Sequence, residues 1–234
     1  MQTSNQKVLP SGEDLGGALT IKVCGMRNPE NIATIAALPI DYMGFIFYEK
    51  SQRYVSGATG FNPLENLNGL KPVASVGVFV NEKIDVILSK IADYQLVAIQ
   101  LHGNETNDFI KTLRHNVISG DRKGTPVQVF KAISISEAAD FEKIHDYPDA
   151  DFLLLDTKTP QHGGSGQKFD WNLLNDIDFP KPFFLSGGIS LEDVEAIKAL
   201  KINNLYGIDI NSKFEIEPAL KDVEKVEQFV KAMR

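Results

Sequence analysis

Two hydrophobic rhythms alternate along the chain. Short apolar runs at residues 20–24, 42–47, 74–79, 97–101, 127–133, 152–156, 183–186 and 206–209 are rich in branched and aromatic side chains. Most are continuous and not alternating, as in Phe152-Leu153-Leu154-Leu155. That pattern predicts strands buried on both faces, in a parallel sheet covered by helices. Between them run segments at helical spacing. Ile84, Ile87, Leu88 and Ile91 fall at i, i+3, i+4 and i+7. Asn28-Pro29-Glu30 reads as a cap, a first-turn proline and an early acid, ahead of Ile32, Ile35 and Ala36. Phe109, Ile110 and Leu113 mark a further helix, and Ser190 caps one carrying Leu191, Val194, Ile197 and Leu200. A last helix is predicted from Ile216 and Leu220 through Val223, Val226 and Val230 to Met233, and a weak one over 61–70.

Eight such strand–helix units, each of about thirty residues, suit a closed (β/α)8 TIM barrel of the α/β class. An open doubly wound sheet also alternates but usually needs fewer strands. No shift in composition divides the chain, so residues 19–234 are expected to form one barrel domain. Residues 1–18 are polar, carry Gly12, Gly16 and Gly17, and read as a short N-terminal leader.

Composition narrows the partners. The 234 residues carry 24 Lys and Arg against 31 Asp and Glu, a formal charge of −7. An acidic chain without a basic cluster is poorly suited to gripping nucleic acid or an anionic membrane. No apolar run approaches the ~20 residues of a spanning helix. The leader lacks the apolar middle of a signal peptide, and the one cysteine cannot close an intrachain disulfide, so a cytoplasmic place is expected.

A barrel places its chemistry at the carboxyl ends of the strands. That selects Cys24, Arg53, Asn81, His102, Lys131, Asp156, Ser186-Gly187-Gly188 and Asp209. Cys24 reads either as a small buried hydrophobe or as a thiolate base whose pKa the helix beginning near Asn28 lowers. Asp156 reads either as a turn residue or as an acid kept protonated by its low-dielectric position. Gly187-Gly188, with Asn211-Ser212 after the eighth strand, lies where barrels commonly hold phosphate, although tight turns have the same composition. Arg53 has the fork that grips carboxylates. His102 is a candidate ligand, proton donor or turn residue. The loop 157–169 holds Gly163-Gly164-Ser165-Gly166 and is long enough to be a lid. His102, His115, His145 and His162 are scattered, so no metal site is expected.

Seven segments in register resemble phosphoribosylanthranilate isomerase. They are Lys22-Val23-Cys24-Gly25-Met26, Gly44-Phe45-Ile46-Phe47-Tyr48 with Lys50-Ser51-Gln52-Arg53-Tyr54, Val76-Gly77-Val78-Phe79-Val80-Asn81, Gln100-Leu101-His102-Gly103, Leu154-Leu155-Asp156-Thr157, Gly163-Gly164-Ser165-Gly166 with Phe169-Asp170-Trp171, and Leu185-Ser186-Gly187-Gly188. The resemblance implies a tryptophan-biosynthetic rearrangement of an aminoaldose phosphate to an aminoketose phosphate, with no cofactor. It places a general base on Cys24 and a general acid on Asp156. Arg53 would hold the anthranilate carboxylate, and Gly187, Gly188, Asn211 and Ser212 the phosphate. His102 and Asp209 would line the pocket. The chain departs from the family pattern at Arg27 and at Asn211-Ser212-Lys213-Phe214-Glu215, where a glycine is usual in place of Lys213. The competing readings are another phosphosugar isomerase or epimerase, and a barrel that binds phosphosugar without turnover.

Overall fold

The computed structural model describes residues 18–55, 73–119, 127–157 and 168–234. Eight parallel strands close into a barrel in chain order, β1 to β8. They are β1 (Thr20–Val23), β2 (Tyr42–Ile46), β3 (Ala74–Phe79), β4 (Ala98–Leu101), β5 (Gln128–Ile135), β6 (Phe152–Thr157), β7 (Phe183–Leu185) and β8 (Leu205–Ile210). β1 pairs with β8 in register from Thr20 with Gly207 to Val23 with Ile210, which closes the cylinder. All six residues of β6 are buried, as its continuous apolar run predicts.

Side chains alternate across each strand, so every second residue enters the barrel. Near the amino ends of the strands this inner set is a plug of Tyr42, Val76, Ala98, Phe130, Phe152, Leu154 and Phe184. Tyr42 packs edge-on to both Phe130 and Phe184 at 5.5 and 5.8 Å between centroids. Two residues further along, the same faces turn polar: Ala98 gives way to Gln100, Leu154 to Asp156, and Phe184 to Ser186. The floor is solid and apolar, and the cavity with its polar side chains lies at the rim.

The outer faces of the strands pack on helices. α1 (Pro29–Ala36) buries Ile32, Ile35 and Ala36, and its Asn28 cap accepts from the Asn31 amide at 3.0 Å. α2 (Ile84–Asp93) buries Ile87 and Ile91, and α3 (Asn107–Ser119) contributes Ile110 and Leu113. The segments after β5 and β6 hold 3-10 helices, Ala138–His145 and Trp171–Leu174. Ser190 does start a helix: its amide and hydroxyl both donate to Asp193, and one 3-10 turn leads into α4 (Val194–Ala199).

The last helix is shorter than its apolar pattern predicts. α5 spans Val223–Met233, capped by the Asp222 carboxylate. Ile216 and Leu220 belong instead to an antiparallel hairpin, β9 (Glu215–Glu217) and β10 (Leu220–Lys221). Pro218 cannot continue a helix, and Ala219 adopts a left-handed φ of 70°. Ile216 is 71% exposed, so its place in the helical pattern is coincidental. The leader up to residue 17, the 61–70 segment and the glycine-rich loop 163–166 lie outside the described residues. Among the described residues no helix is long and apolar enough to cross a membrane.

Candidate active site

A cavity opens at the carboxyl ends of the strands. Most of the sequence-predicted site residues line it: Cys24 beyond β1, Arg53 beyond β2, His102 beyond β4, Asp156 on β6, Ser186, Gly187 and Gly188 beyond β7, and Asp209, Asn211 and Ser212 on and beyond β8; Asn81 and Lys131 do not. Residues as far apart in sequence as Cys24 and Ser212 meet there because the barrel closes.

Cys24 is buried, and its amide donates to the Ile210 carbonyl at 2.9 Å. Room for the sulfur comes from Gly44, where a Cβ would stand 2.7 Å from Sγ. The expected lowering of the thiol pKa by a helix end is not what the structure gives. The first turn of α1 is capped by Asn28, and burial pushes the Cys24 thiol up. Lys22 and Lys221 act in the opposite direction.

Asp156 is held from two sides. Its Oδ1 accepts from the Thr157 amide at 3.0 Å, and its Oδ2 lies 3.1 Å from His102 Nε2. His102 Nδ1 is in turn 2.9 Å from Gln100 Nε2. Gly187, with a φ of +89°, brings the seventh loop against this acid. A Cβ there would sit 2.4 Å from Thr157 Oγ1 and 2.9 Å from Asp156 Oδ1.

Arg53 is half-buried and ion-paired. Its Nε and Nη2 form a fork on the Glu215 carboxylate, at 2.9 and 2.6 Å. Lys221 Nζ reaches the same carboxylate at 2.7 Å and Asn211 Oδ1 at 2.8 Å. Burial opposes ionisation of Glu215, but Arg53 and Lys221 outweigh it and hold the carboxyl below its usual range. Burial lowers the pKa of Lys221. Asn31 exchanges two hydrogen bonds with the backbone of Lys221, at 2.8 and 2.9 Å, and so ties the hairpin to α1. Arg27 stays at the surface and donates to the Gln52 carbonyl at 3.1 Å. Lys213 is exposed and lines a separate surface depression with Lys168, Ser190 and Lys225.

Lys131 is buried beneath the rim and does not line the cavity. Its Nζ donates to the Gly103 carbonyl at 2.7 Å and to Glu105 at 3.1 Å. Glu105 accepts from the amides of Asn81 and Gly103. This clamp fixes the turn that carries His102. Site residues beyond those predicted are Lys22, Gln100, Glu215 and Lys221. A polar side chain inside an apolar strand run is the available signal for the first two; Glu215 ends the loop after the eighth strand, and Lys221 lies in the hairpin where the apolar spacing predicts helix.

The family model described as N-(5'phosphoribosyl)anthranilate (PRA) isomerase matches residues 21–232. A curated relative from Parabacteroides distasonis, named N-(5'-phosphoribosyl)anthranilate isomerase, is 42% identical over 91% of this chain and 92% of its own. The crystal structure of phosphoribosyl anthranilate isomerase from Thermotoga maritima superposes with a TM-score of 0.78 at 34% identity, over 92% of this chain and 98% of that one. A crystal structure of a phosphoribosyl anthranilate isomerase in complex with reduced 1-(o-carboxyphenylamino)-1-deoxyribulose 5-phosphate gives a TM-score of 0.75 at 30% identity over the same shares. By sequence and by fold, the chain belongs to the N-(5'-phosphoribosyl)anthranilate isomerase family of enzymes.

Proposed function

We propose that this chain converts N-(5-phosphoribosyl)anthranilate to 1-(2-carboxyphenylamino)-1-deoxyribulose 5-phosphate, in the cytoplasm, as a step of tryptophan synthesis. The observation that carries the reading is the convergence of Cys24 and Asp156 on one cavity bordered by Gly187, Gly188, Asn211 and Ser212. The phosphate goes to the backbone amides of that border. Glycines at two of these positions let the main chain approach the oxygens. The anthranilate carboxylate goes to the N–H groups of Arg53 left over from its fork on Glu215.

The chemistry is a pair of proton transfers. Asp156, as carboxylic acid, gives its proton to the furanose ring oxygen. The C1′–O bond breaks, and the nitrogen lone pair forms the iminium. Cys24, as thiolate, then takes the C2′ proton, and the C–H electron pair moves into the enolamine double bond. Return of a proton to C1′ and loss of one from the 2′-hydroxyl give the ketone, with no net change in atoms or electrons. Positioned acids and bases of this kind supply roughly 10²–10⁴-fold each. Phosphoribosylanthranilate made in situ from anthranilate is fluorescent, and its signal should decay on adding the protein. No decay, with the substrate shown to bind, would leave a phosphosugar-binding barrel as the better reading.

A further inference from the structure

A charged layer lies directly beneath the thiol. Lys22 stands two residues before Cys24, so the two share the inward face of the β1 edge. Lys22 pairs in register with Asp209 of β8, and its Nζ is 2.9 Å from Asp209 Oδ2. Lys22 has no exposed surface and Asp209 is 5% exposed. Asp209 Oδ1 is buried with no hydrogen-bond partner among the described residues, although Asp209 lines the cavity.

Such a pair is a poor device for stability alone. Two buried charges give up hydration that their attraction only partly returns, and apolar residues of similar volume often serve as well. Its position gives it another use. The charged groups facing Cys24 are Lys22 on β1, Asp209 on β8 and Lys221 on β10. Lys221 is already engaged by Glu215 and Asn211, and Glu215 by Arg53. Lys22 has a single carboxylate oxygen at hydrogen-bond distance, and its charge acts on the thiol two residues further along the same face.

We propose that Lys22 is a positioning residue of the reaction: its ammonium group, anchored on the Asp209 carboxylate one step below Cys24 on the same face of the barrel, is the counter-ion on which the thiolate forms. The thiol proton leaves to solvent through the cavity, and Lys22 keeps its own. Asp209 anchors the ammonium and, by its negative charge, opposes the thiolate. Removing either partner therefore moves the thiol in opposite directions, which general damage to the fold would not do. The proposal rests on reading Cys24 as the base, but its test reads the thiol directly.

Cys24 is the one cysteine of the chain, so alkylation of the full-length protein by iodoacetamide, followed by mass spectrometry, reports a single group. The rate is measured against pH in the unmodified chain, Lys22→Met and Asp209→Asn. Lys22→Met should raise the titration midpoint so that alkylation near pH 7 falls about tenfold or more. Asp209→Asn should lower the midpoint and speed alkylation. The low-pH limb of kcat/KM should follow each shift. An unmoved midpoint in folded Lys22→Met, or a midpoint that only Lys221→Met displaces, overturns the assignment. If Lys22→Met fails to fold, Asp209→Asn decides: a lower midpoint supports the proposal, and an unchanged or higher one ends it. Turnover by Cys24→Ser is the separate check on the base. Normal turnover there sinks the mechanism even if the thiol titrates as expected.

Discussion

At the scale of single residues, the site joins groups whose roles differ by surroundings. Cys24→Ser should lower kcat severely with the fold intact, because a hydroxyl is a far weaker base than a thiolate; near-normal turnover would remove Cys24 from the reaction. Asp156→Asn should be similarly damaging, since an amide has no acidic proton to give. Both positions are legible in the sequence, as polar residues ending apolar runs. Their supports are not. The fork of Arg53 on Glu215 spans 162 residues and the contact of Lys22 with Asp209 spans 187. No local pattern encodes a pairing across the closing seam of a barrel. The thiol's pKa is set in space for the same reason. Nearness in sequence to a helix start suggested stabilisation of the thiolate, whereas burial and the lysines around it govern it.

Single elements show where periodicity works and where it fails. The helical stripe of α1 is buried and that of α2 is buried or half-buried as their spacing predicts, because each packs one face on the barrel. Ile216 and Leu220 fit the same period but sit in the β9–β10 hairpin, which Pro218 and the left-handed Ala219 turn back on itself. This hairpin brings Glu215 and Lys221 to the rim. Its integrity should follow the ionisation of Glu215. The folded-state pKa of Glu215 lies below its unfolded value, so its stabilisation is full above the usual glutamate pKa, about 4.3, and is lost as pH falls through the folded value. Urea unfolding should therefore show a smaller acid-side loss in Glu215→Gln than in the unmodified chain; equal losses would contradict the linkage. Asn31→Ala should destabilise by about 1–3 kcal/mol, because it leaves buried backbone groups of Lys221 without partners.

Across the whole molecule, the barrel divides labour along its axis. The inner plug of Tyr42, Phe130, Phe152, Leu154 and Phe184 carries no chemistry, and the polar rim above it carries little of the packing. Phe130→Ala should accordingly cost about 3–5 kcal/mol in denaturant unfolding, with kcat per folded molecule little changed. A collapse of kcat in well-folded protein would show that floor and rim are coupled more tightly than this division allows.

The amino-acid sequence by itself determined the strand–helix alternation, the doubly buried strands and, through ordered motifs, the family. These depend on local hydrophobic period and on residue types at strand ends, both of which are properties of the chain read in one dimension. Tertiary structure alone decided which charges meet. Closure of β1 against β8 sets Lys22 on Asp209 beneath the thiol, and the hairpin after β8 sets Glu215 on Arg53. Electrostatic energy depends on distance and burial in space, and those follow only once the cylinder is shut.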